Sequence, residues 1–226
     1  MRLRRRPCWI GALLAVLATA CGHAPAHVPP RPTTSVHATV VNPANIKRVV
    51  RDMPPDYEIT TGVPNGASPR MIWSRDADAS VTPQQCAALA DPGNDRDQSA
   101  QGVSGSGSGG VIDAIVVSLS GPVDLDRNIV AACGQWSTTA ERTTITVHLT
   151  DPPHVDGADT VGMVTDVKSS VESGTEIDSR TYTFVAYLGN YYAFTTLTTD
   201  PGSAQPALPP QFAADLLVKT VSTLRG

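Results

Sequence analysis

The chain has 226 residues, with 17 Lys and Arg against 21 Asp and Glu. Four of the 17 basic residues, Arg2, Arg4, Arg5 and Arg6, fall in the first 20 residues and no acidic residue does, so residues 21–226 hold 13 basic and 21 acidic side chains, a net charge of −8. That balance argues against nucleic acid or anionic lipid headgroups as the main partner, because both need a basic surface.

The N-terminal residues read as an export signal. The four arginines form a basic n-region, and residues 9–17 form an apolar run about half the length of a spanning helix. Ala18-Thr19-Ala20 then precede Cys21, which suits a lipoprotein peptidase. A diacylglyceryl group joins the Cys21 sulfur and cleavage follows Ala20. The usual motif has Leu three residues before the cysteine, whereas here Ala18 holds that place with Leu17 one position earlier. The alternative is an ordinary secretory signal cut after Ala20. Both readings export the rest of the chain, and the first holds it on the outer face of the cell membrane, with the domain in the periplasm or cell-wall space. Each buried lipid CH₂ contributes about 0.8 kcal/mol to that anchoring.

Three segments are expected: a lipoprotein signal peptide over 1–20, the lipidated Cys21 with a proline-rich tether over 21–41, and one domain over 42–226. Pro25, Pro29, Pro30 and Pro32 stiffen the tether toward extended polyproline geometry. His23, His27 and His37 are scattered along it without metal-ligand spacing.

Within the domain, Asn42-Pro43 predicts a helix N-cap and first helical residue. Ile46, Val49, Val50 and Met53 follow at helical spacing, and Pro54-Pro55 stops the run. Residues 57–59 alternate like a short strand. Met71-Ile72-Trp73 is an apolar patch that buries Trp73. Thr82-Pro83 opens a short helix carrying Cys86, Ala87 and Leu89, ended by Asp91-Pro92-Gly93. Residues 94–110 are polar and rich in Gly and Ser. A phosphate-binding loop would need Lys followed by Ser or Thr after the glycines, but Val111-Ile112 follow, so a mobile loop is expected.

Residues 111–120 alternate with both faces apolar, the mark of an interior strand. Residues 122–133 predict a helix with Leu125, Ile129, Val130 and Cys133 on one side, and with Asp124 and Asp126 in its first turn. Strands are expected over 143–150 and 160–171. The clearest hairpin joins 180–188 to 191–199 through Gly189-Asn190, a two-residue turn that matches strand twist. Tyr187 falls on the face opposite Phe184, where it lines a ligand cleft, faces the core or covers a sheet edge. A final helix over 210–224 carries a broad stripe that includes Phe212, Leu216, Leu217 and Val221. This order predicts an α+β fold: a single twisted antiparallel sheet with helices packed on one face.

Of the four cysteines, Cys8 leaves with the leader and Cys21 takes lipid. Cys86 and Cys133 remain, an even pair in an exported protein, which predicts a disulfide; the alternative is two buried free thiols.

Four stretches carry a resemblance: Asn42-Pro-Ala-Asn-Ile-Lys-Arg-Val, Met53-Pro-Pro-Asp-Tyr-Glu, Pro83-Gln-Gln-Cys-Ala-Ala-Leu-Ala-Asp-Pro and Ala132-Cys133. They resemble a family of mycobacterial lipoproteins of unknown function, related to the extracellular sensor domain of the PknH-type membrane serine/threonine kinases. The resemblance implies a domain that binds an outside signal in a cleft between helices and sheet. It implies two disulfides in the kinase, of which only the Cys86–Cys133 bridge can form here. Neither a kinase domain nor a spanning helix accompanies it, and no ligand residue transfers.

Catalytic patterns are sparse. Within 42–226 there are two histidines, His148 and His154, with no Gly-x-Ser-x-Gly elbow and no His-Glu-x-x-His. His148, Asp151, His154, Asp156 and Asp159 cluster after a predicted strand and offer a weak metal site or an ordinary acidic turn. The expectation is an exported envelope protein with a non-enzymatic, sensor-like binding domain that needs no cofactor and takes a small ligand or an envelope protein. The alternatives are an envelope hydrolase using His148 or His154, and a structural surface antigen without a specific pocket.

Overall fold

The computed structural model describes residues 40–63, 68–73, 80–94, 96–140, 143–170, 175–199 and 203–226. The expected leader, the Cys21 acylation site and nearly all of the tether lie outside them. Among the described residues no helix is long and apolar enough to cross a membrane.

The described strands form one nine-stranded antiparallel sheet. They are β1 (Glu58–Thr61), β2 (Ser80–Thr82), β3 (Gln98–Gly107), β4 (Gly110–Leu119), β5 (Gln135–Ala140), β6 (Thr143–Thr150), β7 (Asp159–Ser170), β8 (Glu176–Tyr187) and β9 (Tyr191–Thr199). Their spatial order is β1-β3-β4-β9-β8-β7-β6-β5-β2. The helices are α1 (Pro69–Trp73), α2 (Ala87–Ala90), α3 (Arg127–Ala132) and α4 (Pro210–Arg225), with 3₁₀ turns at Pro43–Asp52 and Gln84–Cys86. The fold is α+β, as the order of elements predicts.

Strand alternation sorts the core onto the two sheet faces. Phe184, Ala186 and Leu188 of the β8 strand and its turn join Ile112, Ala114, Val116, Ala193 and Leu197 on the first face. The α4 stripe and the Pro43–Asp52 turn cover them. Asn42 caps that turn by accepting the Ala44 N–H, and Ile46 and Val49 are buried, so the expected helix is present with 3₁₀ pitch. The Asn42 N–H reaches the Leu224 carbonyl at 2.8 Å, tying the first and last helical elements together.

The longer helical elements therefore share one face. Shorter segments close the opposite face, where Ile115, Val117, Val185, Tyr187, Tyr192 and Phe194 point. Trp73 of α1 is buried there and donates its Nε1–H to Thr183 Oγ1 at 3.0 Å. Cys86 and Cys133 form a disulfide, both fully buried with Cα atoms 5.6 Å apart. It fastens the Gln84–Cys86 turn to the end of α3.

The Gly/Ser stretch is not a loop. Residues 98–107 are β3, paired with β1 on one side and β4 on the other. The glycines are there for space rather than mobility. A Cβ on Gly107 would sit 2.4 Å from the Tyr57 ring, one on Gly105 would sit 3.3 Å from it, and one on Gly102 would sit 2.8 Å from Ile115. The bare backbone is thus a floor on which an aromatic ring and the neighbouring strand lie close. The disulfide ring accordingly encloses the β3–β4 hairpin.

The helix expected over 122–133 is shorter. Asp126 accepts the N–H groups of Asn128 and Ile129 and so starts α3 at Arg127, while the Val123 N–H is held by the Gly189 carbonyl at 2.8 Å. Strands β2 and β5 had no sequence prediction. The β8–β9 hairpin turns through Gly189-Asn190 as expected, with Gly189 at φ +71°, where a side chain would be strained.

Candidate functional site

A cleft of about 350 Å³ opens on the disulfide-bearing face. One wall is α2 and the turn after it, through Leu89, Asp91 and Asn94. The other is the segment from Pro122 to α3, through Val123, Asp124, Leu125, Asp126 and Ile129. Tyr187, at the end of β8, lines it from the sheet side.

Three ties hold the walls. The first is the disulfide. The second is Arg96, whose guanidinium donates to the carbonyls of Pro92, Gly93 and Pro122 at 2.9–3.0 Å and so joins the two walls directly. The third is the Val123–Gly189 backbone bond, supported by Leu119 N–H to the Asn190 carbonyl at 2.9 Å. The cleft is therefore part of the folded structure, the usual condition of a small-molecule site.

Tyr187 is only 7% exposed. Among the described residues no group hydrogen-bonds its hydroxyl, and burial alone pushes the phenol well above its ordinary range. Tyr192 stacks against Phe194 with ring centroids 6.1 Å apart. Its phenol is pushed up first by burial and further by the Asp91 carboxylate and Tyr187, with Arg96 opposing. Both phenols stay neutral near pH 7 and serve as hydrogen-bonding groups.

The histidine cluster does not assemble into a site. His148 is half-buried on β6. His154 Nε2 lies 3.0 Å from Asp156 Oδ1, but these side chains are 88% and 98% exposed. Asp159 pairs with Arg127 at 2.6 Å. Among the described residues no three His, Cys, Asp or Glu side chains are placed to hold a metal ion. Neither histidine lines the cleft.

Of the cleft, sequence reasoning found the disulfide and the face of Tyr187. It missed Arg96 and the acidic rim. The available signal was the disulfide itself, which obliges the segments after Cys86 and before Cys133 to be neighbours.

No curated protein matches the chain by sequence. Among solved structures, an uncharacterized protein (Rv0999 ortholog) from Mycobacterium smegmatis is similar at 18% identity and a TM-score of 0.62, over 82% of this chain and 98% of that one. The extracellular domain of PknH from Mycobacterium tuberculosis aligns at 12% identity and a TM-score of 0.43, over 83% of this chain and 93% of that one. The first likeness shows a shared fold. Residues 42–225 match the family model described as a domain of unknown function, DUF5642, and the chain belongs to that family.

Proposed function

We propose that the protein is an exported, lipid-anchored envelope protein whose domain binds a small ligand in the cleft over Tyr187 and performs no chemistry on it. The observation that carries the binding reading is a largely buried tyrosine, Tyr187, lining a cleft whose walls are held by three ties. The histidines favour binding over hydrolysis. His154 and Asp156 sit in water, where no surrounding excludes solvent or fixes a substrate.

Export is supported by the basic-apolar-small leader ending at Cys21 and by the buried disulfide, which persists in oxidising compartments. Intact-mass analysis and detergent phase separation test the anchor. The wild-type protein should carry acyl chains and enter the detergent phase, and Cys21→Ser should enter the aqueous phase. A wild-type product without acyl chains that stays in water rejects the anchor.

A further inference from the structure

Resting on that cleft reading, we infer that the occupant is a compact organic cation: an ammonium group joined to an aromatic or branched aliphatic body. The sign comes from the rim. Asp91, Asp124 and Asp126 line the cleft, and among the described lining residues Arg96 is the one base. Three of its five N–H groups are already donated to backbone carbonyls, and its single charge is outnumbered by the three aspartates. Asp126 caps α3, and Asp91 accepts the Asn94 N–H at 3.2 Å. Asp124 is exposed and has no hydrogen bond or ion pair among the described residues. The local field is therefore negative, and one carboxylate is open to a cationic partner.

The body comes from the walls. Leu89, Val123, Leu125 and Ile129 supply apolar surface, and a volume of about 350 Å³ is near the small end for ligand pockets. A bare metal ion fits poorly, because no three carboxylates or other ligating groups converge among the described residues. The anchor is Tyr187. Its neutral hydroxyl can accept from an ammonium or donate to a ligand oxygen, and its ring face attracts a cation.

Three probes with one body and different charges test this on the purified full chain: phenethylamine, phenethyl alcohol and phenylacetate. Binding is read from methyl resonances of Leu89, Leu125 and Ile129. The amine should bind about tenfold more tightly than the alcohol at low salt, with phenylacetate weakest, and the preference should shrink as salt is raised. Asp124→Asn should narrow the gap between amine and alcohol, while Tyr187→Phe should weaken both and leave the fold intact. Probes that shift these resonances with equal affinity, or with the acid preferred, overturn the cationic assignment and leave the cleft as a binding site. Failure of every probe to shift them at millimolar concentration overturns the cleft reading as well.

Discussion

At the scale of single residues, Asp113 bears the most unusual burden. It lies on β4, an interior strand, is 4% exposed, and accepts the Thr196 hydroxyl at 2.7 Å. Burial pushes its carboxyl above the ordinary range, and hydrogen bonds from Ser104 and Thr196 only partly offset this. A carboxyl raised in the folded state contributes its full stability below the unfolded value, near pH 4, and that contribution is lost as pH rises through the folded value. Asp113→Asn keeps an acceptor for Thr196 and has no charge to bury. The variant should therefore be more stable than wild type at pH 7 by about 1 kcal/mol, with the difference vanishing near pH 4. Urea denaturation at the two pH values reads this, and equal stability at both contradicts it. Glycines give a second contrast. Gly110 has φ +123°, and a Cβ there would lie 2.4 Å from the Thr198 carbonyl oxygen, whereas Gly121 has open space. Gly110→Ala should cost about 3 kcal/mol and Gly121→Ala less than about 0.5 kcal/mol, measured as shifts in denaturation midpoint.

At the scale of elements, legibility followed how much of each signal was local. The β8–β9 hairpin was readable because both the Gly189-Asn190 turn and the alternation of Tyr182, Phe184 and Ala186 are contained within it. The α4 stripe was readable for the same reason. Strand β3 was not, because Gly102, Gly105 and Gly107 carry no strand propensity and are explained only by Ile115 and Tyr57, which are distant in sequence. The truncated α3 shows a competition between two local signals. Proline at 122 and aspartates at 124 and 126 all suit a helix start, and the Val123–Gly189 bond decides for Asp126. Tyr187 could be placed on a face by period, but Arg96, a lone arginine in a polar stretch, gave no sign that it clamps two walls. That clamp is testable as an element. Arg96→Met keeps much of the side-chain bulk and removes the three bonds to Pro92, Gly93 and Pro122. It should destabilise the protein by about 2 kcal/mol in urea denaturation, and also weaken probe binding in the cleft beyond that of a surface arginine variant such as Arg48→Met.

At the scale of the whole molecule, the two faces of the sheet are closed by different means. The first is covered by the 16-residue α4 and by the 10-residue turn at Pro43–Asp52, whose buried side chains form a continuous layer. The second is covered in part by α2 and α3, of four and six residues. Helices that short have no stability of their own, so their packing depends on what fastens them. The Cys86–Cys133 bridge does so, with its ends 47 positions apart in sequence, and contributes about 4 kcal/mol in the loop-entropy account. Its removal in Cys86→Ser/Cys133→Ser should therefore act unevenly. Amides of α2 and α3 should exchange with solvent nearly unprotected, and the cleft they wall should stop binding. Amides of β4, β8 and β9, which sit between paired strands under α4, should keep most of their protection at the same temperature. Hydrogen exchange read by mass spectrometry separates this from a global loss. Uniform deprotection of sheet and helices together would mean that the bridge supports the entire fold rather than one layer of it.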